Sequence, residues 1–235
     1  MKHSDARSDG IVVSLPYRPP YDWPAMLAFL RERAVAGVEH AEGGIYRRTF
    51  QLNGRTGLVE IAHDAGDECL RAAVRAPGPL DLDAVTVRIR RVFDLDVDIA
   101  AVGRHLARDP FLAPLVAARP GLRVPGGWDG FELAVRAVLG QQISVEAARQ
   151  LAGRLVRLCG SELQAGQRDE PMLGFVFPTA AQVATADLAR LGMPEARRSA
   201  LRALAVAALA EPTLFRPAGS VEETVARLCA IRGIG

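Results

Sequence analysis

The sequence predicts an α+β fold in which an antiparallel sheet with covering helices is followed by an all-helical domain. Apolar and polar residues alternate over residues 45–52, and the next two residues are Asn53-Gly54, a pair that favours a tight β-hairpin. From Phe111 onward the apolar residues recur at helical spacing instead. A length of 235 residues is sufficient for two units, each with its own core. We therefore divide the chain into a flexible lead-in at 1–18, an N-terminal domain at 19–110 and a helical domain at 111–235.

The composition is that of an ordinary globular chain. Hydrophobic residues make up 49% of it and charged residues 24%, and no apolar stretch is long enough to span a membrane. The formal net charge of +2 does not by itself indicate a nucleic-acid partner. The three cysteines are widely spaced and odd in number, which argues against a disulfide framework and against a zinc site. The polar N-terminus lacks the apolar core of a signal peptide, so we expect a cytoplasmic protein.

The first predicted helix carries an aromatic residue off its core face. Asp22 is suited to cap this helix, which should extend to about Gly37. Phe29 lies roughly 130° from the apolar stripe, at about 100° per residue, among small residues on a second face. That position suits either a side chain that packs on the next domain or one that lines a pocket. The apolar stripe itself consists of Trp23, Met26, Leu27, Leu30, Ala34 and Val38.

Further strands and two amphipathic helices complete the N-terminal domain. Residues 58–62 and 70–74 continue the strand pattern, and Ile11–Leu15 is suited to an edge strand. An antiparallel sheet needs a cover on one face, which two helices supply, so we interpret this domain as a supporting scaffold. The apolar stripes of these helices are Leu82, Val85, Ile89, Val92 and Phe93, and then Ile99, Val102 and Leu106.

The helical domain opens with a helix, a polar corner and a second helix. The first helix presents apolar residues at helical spacing and breaks at Gly140. Gln141 and Gln142 form the corner, and the hydroxyl of Ser144 can cap the helix that follows. Most corners of this kind only connect packed helices, so the shape alone assigns no function.

Two more helix starts and one loop are predicted farther along. Thr179 with Gln182, and Ser220 with Glu223, have the spacing of a capping box. Residues 161–174 show no periodicity, which predicts a surface loop.

The last eight residues of the sequence have a pattern that can bind a phosphate group. Residues 228–235 read LCAIRGIG and follow an amphipathic segment. A hairpin of this kind directs successive backbone N–H groups toward one point, and its glycines let an anion approach without an intervening Cβ. Taken alone, Gly-x-Gly mostly marks turns, so the phosphate interpretation depends on a wider match.

Such a match exists. Several stretches resemble the DNA-3-methyladenine glycosylase II family, the alkylation-repair members of the helix-hairpin-helix DNA glycosylases. The longest is GLRVPGGWDGFELAVRAVLGQQISVEAA at 121–148, and the resemblance covers the chain from Pro19 onward. It implies that the helical domain is a helix-hairpin-helix domain. The other matching stretches are PPYDWPAMLAFLRERAVAGVE at 19–39, RVFDLDVD at 91–98, FPTA at 177–180, LGMPEARRSALRALA at 191–205 and LCAIRGIG at 228–235.

The resemblance implies roles for the polar corner. In the family, the positions that match Phe29, Gln141 and Val145 border the base-binding pocket. The position that matches Gln142 is a wedge that fills the gap left in the duplex by a flipped base. An amide at this position is less apolar than the leucine of some relatives.

The resemblance also implies roles for the C-terminal hairpin. The phosphate-binding positions match Gly233, Ile234 and Gly235. Backbone carbonyls at the positions of Cys229, Ile231 and Ile234 hold a structural Na⁺ or K⁺ in the family, and no other cofactor is implied. Arg232 replaces a proline that is common in this hairpin, which should not disturb contacts made by the backbone.

The implied activity is that of a monofunctional N-glycosylase in base excision repair. Alkylation makes a base such as 3-methyladenine cationic and therefore a good leaving group. The enzyme flips the nucleotide out of the stack, and a carboxylate stabilises the oxocarbenium-like sugar as water attacks. The expected partner is double-stranded DNA containing alkylated bases, bound by a monomer that is associated with the bacterial nucleoid and not with a membrane.

No catalytic residue can be assigned in this sequence. In the family the catalytic aspartate lies about one helix beyond the position of Gly235, so we expect a C-terminally truncated chain. Asp129 and Glu132 are better explained as residues that cap and solvate the start of a helix. Glu195, Glu222 and Glu223 lie in the first turns of helices, where the helix dipole favours a negative charge. The alternative function is a catalytically inactive DNA-binding module on the same scaffold. A fusion to an alkyl-transfer module is a third option, for which these residues contain no supporting motif.

Overall fold

The computed structural model describes residues 10–163, 171–216 and 219–234. Its first half is built on a five-stranded antiparallel sheet with the order β1-β5-β4-β3-β2. The predicted hairpin is present, because Asn53 (φ 50°) and Gly54 (φ 76°) both adopt the left-handed conformation that a tight two-residue turn requires. The strands are β1 (Ile11–Pro16), β2 (Glu39–Glu42), β3 (Ile45–Leu52), β4 (Arg55–Asp64) and β5 (Cys69–Arg75).

The edge strand expected at Ile11–Leu15 is present and pairs with β5. Residues 11–16 therefore belong to the sheet and not to a flexible lead-in, while residues 1–9 lie outside the described part of the chain.

Four helices accompany the sheet. Three of them start in the same way, since the carboxylates of Asp22, Asp81 and Asp98 each accept a backbone N–H three residues later, at 2.9 to 3.0 Å. The helices are α1 (Trp23–Arg33), α2 (Leu82–Val92), α3 (Ile99–Leu106) and α4 (Ala113–Ala118).

The second half is mainly helical, with a small sheet that the sequence did not predict. Strands β6 (Ser161–Glu162) and β7 (Phe175–Val176) pair, and Leu163 and Leu173 beside them are buried. The surface loop predicted at 161–174 is therefore wrong at its two ends, and residues 164–170 lie outside the described chain. The helices are α5 (Gly130–Gly140), α6 (Val145–Cys159), α7 (Ala180–Thr185), a 3₁₀ turn (Leu188–Leu191), α8 (Glu195–Ala210) and α9 (Val221–Cys229).

The two hydrophobic cores exchange residues across the domain boundary. Val35 and Val38, which follow α1, are buried in the core of the helical half. Trp128, which precedes α5, is buried in the core of the sheet half. These exchanges make helix α5 and the sheet neighbours and fix the position of the corner that follows α5. Among the described residues, no helix is long and apolar enough to cross a membrane.

Candidate nucleic-acid interface

The polar corner between α5 and α6 is exposed and has an unusual backbone. Gln141 is extended (φ −59°, ψ 125°), whereas Gln142 adopts a left-handed conformation (φ 57°) that residues with a side chain rarely take. The hydroxyl of Ser144 accepts the N–H of Ala147 at 3.2 Å and starts α6, as predicted. Both glutamine side chains point to solvent, and Val145 is 47% exposed. The corner thus presents two amides and one apolar side chain at a tip.

Phe29 lies on the open side of α1. Its side chain is 38% exposed, while Trp23, Met26 and Leu30 on the same helix are buried. The guanidinium of Arg33 covers one face of the ring at 3.8 Å from its centroid. Helix α1 packs against α6, so Phe29 and the corner belong to neighbouring helices.

The hairpin after α9 is described as far as Ile234, and Gly235 lies outside the described residues. Ile231 is buried and anchors the hairpin in the helical core. The N–H of Ile234 donates to the Ile231 carbonyl at 3.0 Å, and Gly233 between them has a φ of 83°.

The cap of α9 differs from a regular capping box. The Ser220 hydroxyl accepts the N–H of Glu223 at 3.1 Å, but the Glu223 carboxylate accepts the N–H of Gly219 at 3.1 Å instead of that of Ser220. The box predicted at Thr179 and Gln182 is reciprocal as expected.

Helix α8 brings the corner and the hairpin to one place. Arg197 Nη2 donates to the carbonyl oxygen of Gln141 at 2.7 Å. A Cβ added to Gly233 would lie 2.8 Å from the Cβ of Ala200, so the hairpin rests directly on α8. Residues three apart lie on the same side of a helix. The lack of a side chain at Gly233 is therefore required by packing against α8, a role that the sequence did not reveal.

A buried cluster of charges lies between the sheet and α5. Arg48 Nη2 contacts Glu132 at 2.7 Å, and Arg136 Nη1 contacts Glu39 at 2.9 Å and Glu132 at 3.2 Å. The Tyr46 hydroxyl donates to Glu39 at 2.6 Å. Two guanidinium groups and two carboxylates thus balance one another; Arg48, Glu39 and Glu132 are buried, and Arg136 is partly exposed. The expectation that Glu132 solvates a helix start is wrong, because Glu132 is 4% exposed.

The cluster shifts the pKa of its members. Burial favours the neutral form of Glu39, but the charges of Arg136 and Arg48 outweigh it, so its pKa lies below the ordinary value. Burial and the nearby Glu39 carboxylate raise the pKa of Tyr46 well above its ordinary value. Burial opposes the charge of Arg48, yet the Glu132 carboxylate raises its pKa overall. The carboxylate of Glu39 and the guanidinium of Arg48 are therefore both charged at neutral pH.

Other carboxylates that the sequence placed near helix starts also have structural partners. Asp129 accepts the N–H of Phe131 at 2.9 Å and caps α5. Glu195 contacts Arg198 and the hydroxyl of Ser199. These contacts explain the carboxylates without a catalytic role.

A cleft of about 800 Å³ lies between the sheet and the helical half, away from the polar corner and the hairpin. Its lining includes Arg88, Trp128, Phe177 and Phe215. None of the sequence-predicted site residues that the structure describes lines it. This cleft and the candidate interface are therefore different places.

Comparison with known proteins agrees with this arrangement. The family model described as the AlkA N-terminal domain matches residues 12–129. The chain is 37% identical over 225 residues to DNA-3-methyladenine glycosylase 2 of Escherichia coli strain K12, an alignment that covers 94% of this chain and 76% of that protein. The chain belongs to the AlkA family.

A longer AlkA-family protein is equally similar. The "probable bifunctional transcriptional activator/DNA repair enzyme AlkA" of Mycobacterium tuberculosis is 35% identical over 231 residues, which cover 98% of this chain and 45% of that protein. The chain thus spans less than half the length of this relative.

Solved structures show the same fold. The 3-methyladenine DNA-glycosylase from Archaeoglobus fulgidus superposes with a TM-score of 0.75 at 22% identity, covering 96% of this chain and 75% of that one. The 8-oxoguanine glycosylase/lyase from Clostridium acetobutylicum, solved with double-stranded DNA, gives a TM-score of 0.60 at 14% identity, covering 85% of this chain and 75% of that one. The chain therefore shares the α+β fold of these structures.

Proposed function

We propose that this chain takes part in the excision of alkylated bases such as 3-methyladenine from duplex DNA, by binding the duplex and flipping the damaged nucleotide. The observation that carries the proposal is the position of Arg197 and Ala200. Arg197 donates to the Gln141 carbonyl, and Ala200 contacts the backbone position of Gly233. Both residues lie on adjacent turns of α8. A wedge and a phosphate-binding hairpin must act on the same stretch of duplex, and α8 supports both.

The hairpin binds the backbone and not the bases. Gly233 has the left-handed conformation found in backbone nests, in which neighbouring N–H groups can face an anion. Contacts of this kind hold the duplex in register without sequence preference. The expected ligands are phosphates beside Gly233, Ile234 and Gly235.

The corner separates the target base from its stack. Gln142 enters the gap in the duplex, while Gln141, Val145 and Phe29 border the space that the flipped base occupies. Since Arg33 covers one face of the Phe29 ring, a cationic base contacts the opposite face. Flipping costs least for a damaged base, which contributes selectivity.

Hydrolysis of the glycosidic bond needs a carboxylate that stabilises the oxocarbenium-like sugar. We assign this role to no residue of the described chain, since Asp129, Glu132 and Glu195 serve as a cap or as ion-pair partners. A second candidate is a catalytically inactive DNA-binding module on this scaffold.

We further propose that the hairpin holds a monovalent cation through the carbonyls of Cys229, Ile231 and Ile234. Helix α9 ends at Cys229, and no described hydrogen bond outside the helices ends on the carbonyl of Cys229 or Ile234. Carbonyl oxygens suit hard cations such as Na⁺ or K⁺.

Two assays separate the candidates. Release of methylated bases from alkylated duplex DNA measures hydrolysis, and fluorescence anisotropy with a labelled duplex measures binding. Binding with base release supports the glycosylase, and binding without release supports the inactive module. Absence of binding at low salt, where phosphate contacts are strongest, would contradict both.

The Gln142→Ala variant tests the wedge within the same assays. We expect it to impair unstacking of the target base more than overall affinity, because phosphates supply most of the affinity. Equal losses of both would exclude the wedge role.

A further inference from the structure

Helix α8 holds the polar corner through a single guanidinium. Arg197 Nη2 donates to the Gln141 carbonyl at 2.7 Å. In the part of the chain that the structure describes, Arg197 forms no ion pair, whereas its neighbour Arg198 contacts Glu195. Among the described residues, the Arg197 guanidinium is therefore held by its hydrogen bond to the Gln141 carbonyl.

The corner needs such a restraint. The left-handed conformation of Gln142 (φ 57°) costs free energy for a residue with a side chain and persists only where its surroundings impose it. Within the corner, the N–H of Gln141 reaches the Val138 carbonyl only at 3.5 Å, the limit of a hydrogen bond. The bond from Arg197 is shorter and charge-assisted, and such bonds are the stronger class.

The same side of α8 determines where the hairpin lies. Ala200 is 4% exposed and leaves no space for a side chain on Gly233. A small residue at position 200 and an arginine at position 197 thus set the separation between the hairpin and the corner.

We propose that Arg197 is the positioning residue of the wedge. By fixing the Gln141 carbonyl, it orients Gln142 toward the duplex that the hairpin holds. Arg197 touches neither the base nor the sugar in this role. The inference rests on the proposed function, because it assigns a cause to the geometry of the wedge.

The test uses a duplex with 2-aminopurine at the target position, whose fluorescence rises when the base leaves the stack. Anisotropy of the same duplex reports affinity. We expect Arg197→Met to reduce the unstacked population about 10-fold or more at saturation, the scale of one hydrogen bond to a charged group, with affinity nearly unchanged. Arg197→Lys should restore part of the signal, since it keeps a charged donor.

Arg202→Met is the matched control. Arg202 lies on the same helix and also donates to backbone carbonyls, those of Ala184 and Ala186, at 2.7 and 2.9 Å. Its loss should leave the fluorescence signal intact. An equal loss in both variants would mean a general weakening of α8 and would overturn the assignment.

The remaining outcomes are distinct. A full fluorescence signal from Arg197→Met overturns the inference. A lower affinity, with the salt dependence reduced by about 0.9 in slope, makes Arg197 a phosphate ligand and also overturns it. A native chain that binds without any unstacking contradicts the proposed function itself, and the inference with it.

Discussion

Arg48 on β3 contacts Glu132 on α5 at 2.7 Å, and their side chains are only 3% and 6% exposed. Glu132, Arg136 and Gly140 follow one another at four-residue intervals, so they lie along one side of α5. The buried charges thus tie that side of α5 to the sheet, and the helix ends at the corner that carries Gln142. The N-terminal half is therefore more than a separate scaffold, because it orients the helix that leads to the candidate interface.

Loss of one partner of this cluster should destabilise the fold strongly. We expect Arg48→Met to lower the free energy of unfolding by about 3–5 kcal/mol, since it leaves Glu132 and Glu39 buried with one cation fewer. Urea unfolding followed by circular dichroism measures the change. The control is Arg71→Met, which removes an arginine from an exposed ion pair with Asp64 and Asp67 and should change little. Similar effects of both substitutions would contradict the buried cluster.

The cluster also predicts sensitivity to acid. The folded-state pKa of Glu39 lies below its unfolded value, so the stability it contributes is present above the ordinary glutamate pKa of about 4.3. That contribution should disappear as the pH falls through the lower, folded pKa. Unfolding midpoints measured between neutral pH and pH 3 should fall in the native chain. The Glu39→Gln variant should start lower and show a shallower fall, and parallel curves would refute this origin of the acid response.

The left-handed corner predicts opposite effects for two neighbouring glycine substitutions. Gln142→Gly should leave stability unchanged or raise it by up to about 1 kcal/mol, because glycine adopts a positive φ without strain. Gln141→Gly should lower stability, since Gln141 has an ordinary backbone conformation and glycine only adds freedom to the unfolded chain. Urea unfolding compares the two variants. A stabilising Gln141→Gly with a destabilising Gln142→Gly would show that the corner has a different backbone.

The hairpin predicts a specific effect of negative charge. Gly233→Asp should weaken binding of duplex DNA by placing a carboxylate where a phosphate docks. Gly233→Ala is the matched control, because it introduces the same clash with Ala200 and the same positive φ without the charge. Anisotropy titrations at two salt concentrations measure both variants. If both lose affinity equally, the effect comes from packing and the phosphate role of this glycine is refuted.

The capping box of α7 predicts a moderate loss of stability. Thr179→Ala removes the hydroxyl that accepts the N–H of Gln182 and should cost about 1 kcal/mol in thermal or urea unfolding. Thr185→Ala in the same helix is the control, since the Thr185 hydroxyl donates back to the Ala181 and Gln182 carbonyls and caps no N–H group. A Thr179→Ala variant as stable as this control would argue against the cap.

Features that depend on neighbours in the chain were predictable from the sequence. Local backbone preferences and periodicity predicted three such features: the hairpin at Asn53-Gly54, the helix caps at Asp22 and Ser144, and the corner at Gln141-Gln142. The prediction of a surface loop at 161–174 was wrong at its ends, where β6 and the buried Leu173 lie, because a strand of two residues leaves no periodicity.

By itself, the sequence determined the α+β class, the sequence of a sheet half followed by a helical half, and the family. The residues that match the family's DNA-contacting positions stay predictions. Only the tertiary structure decided which charges are buried and which residues support the corner and the hairpin. Arg48 meets Glu132, and Arg197 meets Gln141, across separations of 84 and 56 positions. Such pairs depend on how the sheet and helices pack together, and no local pattern of residues records that packing.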